Sequence, residues 1–132
     1  MEPPAAHGRI GSLAERTAQL AIEIRVSNLE ASIEFYRQVG LSLERQTPSF
    51  AAMQIDGRYL LLSLTAAVST GPTPPNLRIM VDDIEAALAK AAACGWPVRS
   101  PVADHGYGLR DFTVGDPDGY ELRFAVVSLQ SD

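Results

Sequence analysis

Ile24-Arg25-Val26-Ser27-Asn28-Leu29-Glu30-Ala31-Ser32-Ile33 and Ile79-Met80-Val81-Asp82-Asp83-Ile84-Glu85-Ala86-Ala87-Leu88 are two copies of one pattern, 55 residues apart (79 − 24 = 55). In each copy, alternating apolar residues run into a side chain that can cap a helix. Apolar residues at helical spacing follow. Gly40 and Gly95 keep the same offset and stand where a helix should stop. Further along, Gly57 and Leu62 recur as Gly119 and Phe124 at an offset of 62 (119 − 57 = 62), so the connecting loops differ in length. A duplicated unit folds two similar lobes, and the groove between such lobes is the usual place for a ligand.

Outward from this pattern, the alternation Ile22, Ile24, Val26 predicts a strand over 20–26 whose apolar side faces the helix. Strands follow at 41–45, 50–55 and 59–64, with Asp56-Gly57 as a hairpin turn. Gly71 to Pro75 is a proline-rich linker. The order then repeats: a strand at 77–81, a helix at 84–94, and strands through Val98, at 109–114 and at 120–127, the last two joined by the tight turn Asp116-Pro117-Asp118-Gly119. Each unit reads βαβββ, an α+β plan in which one sheet face packs on a helix and the other curves into a cup. Trp96, like Leu41, is expected to pack a helix end onto its sheet. Residues 1–18, rich in Pro, Ala and Gly, read as a flexible arm with a short helix near 12–19, and His7 in it as chemically idle.

At 132 residues the chain is the size of one domain that can bury a core without staples. A net charge of −5 and the lack of a basic stripe argue against nucleic acid as a partner. No segment is apolar and long enough for a membrane helix, and nothing near Glu2 resembles a secretory leader. One cysteine, Cys94, excludes an intrachain disulfide framework, reads as a packing residue, and fits a reducing, cytoplasmic setting.

Alternation also sorts the cup. Ala21, Glu23 and Arg25 face it from the first strand; Tyr59, Leu61 and Ser63 from the fourth; Asn76, Arg78 and Met80 from the fifth; Glu121, Arg123 and Ala125 from the last. Leu122, Phe124 and Val126 face the second helix. The plain interpretation of the charges is a structural network in which Glu23 and Glu121 neutralise Arg25, Arg78 and Arg123. The functional one leaves an arginine for a ligand carboxylate, phosphate or polarised carbonyl, with Tyr59, Leu61 and Met80 against its body. Met80 reads more readily as core filler than as a ligand contact. His105 lies in the loop Asp104-His105-Gly106-Tyr107-Gly108. It is either a solvated loop histidine or an imidazole that moves protons beside Asp104 or Asp111. No nucleophile elbow, phosphate loop or Cys-x-x-Cys is present.

Arg25-Val26-Ser27-Asn28-Leu29 leading into Ser32-Ile33-Glu34-Phe35-Tyr36, the segment Val81-Asp82-Asp83-Ile84, and Gly108-Leu109-Arg110-Asp111-Phe112 running to Asp116-Pro117-Asp118-Gly119-Tyr120 together resemble the vicinal oxygen chelate superfamily. This is the glyoxalase, bleomycin-resistance and extradiol-dioxygenase group. The resemblance implies a single glyoxalase/bleomycin-resistance-like domain over 19–128, made of module one (19–70) and module two (76–128). It also implies assembly as a homodimer whose cups are completed between modules or subunits. Enzymes of the family hold a divalent metal on four ligands, mostly His and Glu; the matching positions here are Ala21, Leu61, Asn76 and Arg123. Those side chains cannot hold a dication, so the expectation is no metal and no cofactor.

Two readings follow. The first is a metal-independent binding protein of the sequestration, carriage or resistance type. Its ligand-binding candidates are Glu23, Arg25, Tyr59, Leu61, Asn76, Arg78, Met80, Glu121 and Arg123, and they suit an anionic or carbonyl-bearing small organic molecule. Bleomycin is a poor match, because the drug is cationic and arginines enter this cup. The second is a metal-free isomerase, epimerase or lyase with Glu23 or Glu121 as base and Arg123 or Arg78 stabilising an enolate. A metal-dependent glyoxalase or dioxygenase would need ligands recruited from Glu23, Glu121 or His105. A vestigial cup on an interaction module would be filled by its own side chains. Catalytic candidates are therefore Glu23, Glu121 and His105, and whether the chain is an enzyme stays open at this level.

Overall fold

A computed structural model of the chain describes residues 21–69, 71–72, 75–105 and 108–127. The expected arm with its helix and His7 lies outside them, as do Gly106 and Tyr107. Contacts divide the chain into two units, residues 1–68 and 69–132. The first holds β1 (Ala21–Val26), α1 (Leu29–Val39), β2 (Ser42–Thr47), β3 (Phe50–Ile55) and β4 (Arg58–Leu64). The second holds β5 (Asn76–Met80), α2 (Ile84–Cys94), β6 (Val98–Asp104), β7 (Leu109–Gly115) and β8 (Glu121–Val127). Each has a four-stranded sheet, ordered β1-β4-β3-β2 and β5-β8-β7-β6, with the outer pair parallel and the rest antiparallel. The fold is α+β, two tandem βαβββ modules.

The repeated residues do the same work twice. Asn28 caps α1 by accepting a hydrogen bond from the Ala31 N–H at 3.0 Å. Asp83 caps α2 by accepting from Glu85 and Ala86 at 3.0 and 3.1 Å. Both caps satisfy donors that a helix start leaves orphaned. At the far ends, Gly40 and Gly95 take positive φ (128° and 73°), and the next N–H, of Leu41 or Trp96, reaches back to the carbonyl of Tyr36 or Ala91 at 3.0 Å. This 6→1 closure brings an apolar residue under the helix end. Leu41 and Trp96 are both buried, and Trp96 stacks on Phe124 with centroids 5.7 Å apart. The β3–β4 hairpin turns on Asp56 (φ 51°) and Gly57 (φ 76°), the two left-handed residues that a two-residue turn matched to strand twist requires.

In module one, Leu29, Ile33, Phe35 and Tyr36 of α1 are buried, as are Ala51, Met53, Leu60 and Leu62 of the sheet. In module two the helix is alanine-rich, and only Ile84 and Ala91 of α2 are buried. The sheet compensates with large side chains: Phe112 and Phe124 stack at 5.3 Å beside buried Val114 and Leu122.

Three local expectations are corrected. Ile22 does not pack under the helix and is 49% exposed. On this face of β1, an edge strand, burial fades toward the strand's start: Val26 is fully buried, Ile24 nearly so, and Ile22 lies beyond the packed core. Val126, assigned to the helix side, is only half-buried, one residue short of the exposed strand end at Val127. The strand begun at Val98 continues to Asp104 through Pro101, a residue tolerated because β6 is also an edge. Its two register shifts against β7 erased the alternation that would have marked it.

Candidate functional site

On module one, the strand register places Ala21, Glu23 and Arg25 beside Tyr59, Leu61 and Ser63, all on the sheet face away from α1. Glu23 and Arg25 are exposed, and Tyr59 and Leu61 half-buried. The Glu23 carboxylate accepts a hydrogen bond from the Ser63 hydroxyl, not from an arginine. Glu44, at a bulge in β2, faces the Tyr59 hydroxyl; hydrogen bonding toward that carboxylate foremost, then desolvation and the carboxylate charge, raises the Tyr59 pKa above its ordinary value of 10.0.

On module two, the face away from α2 runs in rows across the strands: Asn76 beside Glu121, Arg78 beside Arg123, and Met80 beside Ala125. The rows continue onto β7 as Gly115, Thr113 and Asp111. Asn76, Arg78 and Met80 are exposed; Glu121 and Arg123 are half-buried. Met80, 52% exposed, is not core filler. The carboxylate at the centre is Asp111, its side chain only 6% exposed. Oδ1 lies 2.8 Å from His105 Nε2 and Oδ2 lies 3.6 Å from Arg123 Nη1. A carboxylate only accepts, so His105 Nε2 carries the proton in this bond. Asp111 Oδ2 and Arg123 Nε are buried with no hydrogen-bond partner among the described residues.

The network expected from sequence is therefore corrected. Arg123 is neutralised by Asp111, not by Glu121, and Glu23 goes to Ser63. His105 is two-thirds buried and anchored, not a solvated loop side chain. Of its two possible partners, Asp104 is engaged instead by Arg110 at 3.2 Å, which also approaches Glu85 of α2 at 4.0 Å. Asp111 and Glu44 were missed as site residues. The sequence offered Asp111 only as one of two possible partners of His105; the register of β7 on β8, which brings it to Arg123, has no local signal.

The family model for the glyoxalase/bleomycin resistance protein/dioxygenase superfamily matches residues 17–124. The chain belongs to this superfamily. No curated protein matches it in sequence. Among solved structures, a glyoxalase/bleomycin resistance protein/dioxygenase from Nocardioides is 22% identical, with 86% of each chain covered and a TM-score of 0.66. The bleomycin resistance determinant encoded on transposon Tn5 is 16% identical, covering 84% of this chain and 98% of that one, with a TM-score of 0.70. A lactoylglutathione lyase from Agrobacterium tumefaciens is 18% identical, covering 83% and 92%, with a TM-score of 0.68. At these identities the likeness is one of fold.

The positions that the resemblance matches to the superfamily's metal ligands can be tested on their donors. Ala21 and Leu61 have no donor atom, Asn76 offers one neutral amide, and the Arg123 guanidinium is cationic and turned to Asp111. These residues do not fit a divalent ion. Among the described residues, no group of three or more His, Cys, Asp or Glu side chains stands close enough together to hold one. No helix of the described residues is long and apolar enough to cross a membrane.

Proposed function

We propose that this superfamily member is a metal-independent binding protein whose module-two sheet holds a small organic molecule through an anionic or carbonyl group. One observation carries the reading: Arg78 and Arg123 are register partners on adjacent strands of one face, while the buried carboxylate there is shared between Arg123 and His105. Strands lie about 4.8 Å apart, so two guanidinium stems held side by side repel unless an anion joins them. Among the described residues no carboxylate lies within ion-pairing distance of Arg78. A ligand carboxylate, phosphate or polarised carbonyl supplies the missing charge, and the guanidinium fork orients it. Exposed Met80, in the next row, offers a polarisable surface for the ligand body. The donor set at the superfamily's metal positions supports metal independence.

With this reading go a single domain over 19–128, a homodimer, and a cytoplasmic location suited to one unpaired cysteine. The test is calorimetric titration with benzoate in the presence of EDTA. Arg78→Gln should weaken binding about tenfold or more, the scale of a charge-assisted hydrogen bond. Unchanged affinity in the variant, or binding that requires an added divalent metal, contradicts the proposal.

A second reading, an isomerase, epimerase or lyase, is favoured by Glu121. It is half-buried one pleat repeat from Arg123, and among the described residues its carboxylate has no partner. Glu121→Gln separates the two: binding survives in both, and turnover of any substrate found disappears only in the second.

A further inference from the structure

Gly115 is buried, and it is not one of the glycines with positive φ, so backbone freedom does not explain it. Space does. A Cβ built there would lie 2.5 Å from Arg99 Nη2, 2.7 Å from Cζ and 2.8 Å from Nε. The Arg99 guanidinium therefore rests on the Gly115 backbone, in the volume that any larger residue would fill. Gly115 is the register partner of Glu121, which is the partner of Asn76, so Arg99 lies on the same face as Arg78 and Arg123. Alternation along β6 does not reveal this, because the register against β7 shifts between Val98 and Ser100 and re-aims the side chain between them.

Among the described residues, this face then carries three guanidinium groups. Arg123 is neutralised by Asp111. Among the described residues neither Arg78 nor Arg99 has a carboxylate within ion-pairing distance. Arg99 is exposed, so it remains accessible, and its seat on Gly115 holds it across the sheet from Arg78. Gly115 and Arg78 are two strands and one pleat repeat apart, about 12 Å between Cα atoms, a gap that two long side chains narrow considerably.

We infer that Arg99, seated on Gly115, is a second anion-binding group, and that the ligand is an organic molecule with two anionic groups, a dicarboxylate being the simplest. This rests on the proposed binding of one anionic group by Arg78 and Arg123 and adds a second subsite on the same face. Gly115 thereby becomes a specificity position, since its missing side chain is what lets Arg99 lie down.

The test is calorimetric titration with α,ω-dicarboxylates of about four to eight carbons, matched to that span, against monocarboxylates of the same length. The wild-type protein should bind its best dicarboxylate about tenfold more tightly than the matched monocarboxylate. Arg99→Gln and Gly115→Ala should each erase that preference and leave monocarboxylate affinity unchanged. Gly115→Ala displaces only the flexible tip of Arg99, so the fold survives it, and circular dichroism of both variants verifies this. Monocarboxylate binding with no dicarboxylate preference, or a preference that persists in both variants, overturns this inference and leaves the single-anion reading standing. Failure of either class to bind overturns both.

Discussion

Replacing Asp111 by Asn removes a buried negative charge from the module-two face while keeping its shape and its acceptor toward His105. The charge separation to Arg123 is 3.6 Å. Coulomb's law at that distance gives about 1 kcal/mol in water and about 5 kcal/mol at an effective dielectric of about 20. Arg123 is a quarter exposed and Asp111 almost wholly buried, so the pair lies between these limits. Losing the charge also leaves the buried Arg123 Nε facing no compensating anion. We expect Asp111→Asn to lose about 2 kcal/mol of stability, read as a lower midpoint with an unchanged slope in urea denaturation. The same substitution uncovers Arg123, so benzoate affinity should rise while stability falls. A loss below about 0.5 kcal/mol, the range of an ordinary surface substitution, together with unchanged affinity, would refute the view that Asp111 restrains the arginine pair.

Other consequences concern the frame. The Tyr59 hydroxyl, facing the Glu44 carboxylate, should titrate above 10.0 in a 295 nm absorbance titration, and Glu44→Gln should bring it down. Because the folded-state pKa is raised, the stabilisation this interaction gives is complete below the unfolded tyrosine pKa and is lost as pH rises through the folded value. Leu62→Ala, at a fully buried site in module one, should cost about 2–5 kcal/mol in chemical denaturation. Asp83→Ala, which orphans the Glu85 and Ala86 N–H groups, should cost about 1 kcal/mol by the same assay.

The duplicated frame was legible because it is written in local chemistry. Asn28 and Asp83 are caps at any tertiary location, Gly40 and Gly95 are stops, and Asp56-Gly57 can make little besides a tight hairpin. Alternation likewise sorted Glu23, Arg78 and Arg123 onto the correct faces, because a strand admits only two. What stayed hidden depends on register between strands distant in sequence. Nothing local tells that Asp111, through β8, meets Arg123, or chooses Asp111 over Asp104 as the partner of His105. The exposure of Ile22 follows from how far the packed core reaches along β1, where Ile24 and Val26 of the same face are buried, and alternation does not tell this. Arg99 escaped because a bulge breaks the only periodicity that could have placed it.

The account stands most directly on whether an organic anion binds between Arg78 and Arg123 without a metal. The measurement is a titration of ¹⁵N-labelled protein with benzoate in EDTA, following the arginine side-chain Nε–Hε signals assigned by Arg78→Gln and Arg123→Gln. The account predicts saturable shifts at those two signals. Shifts confined to other arginines, or none until a divalent metal is added, would contradict it.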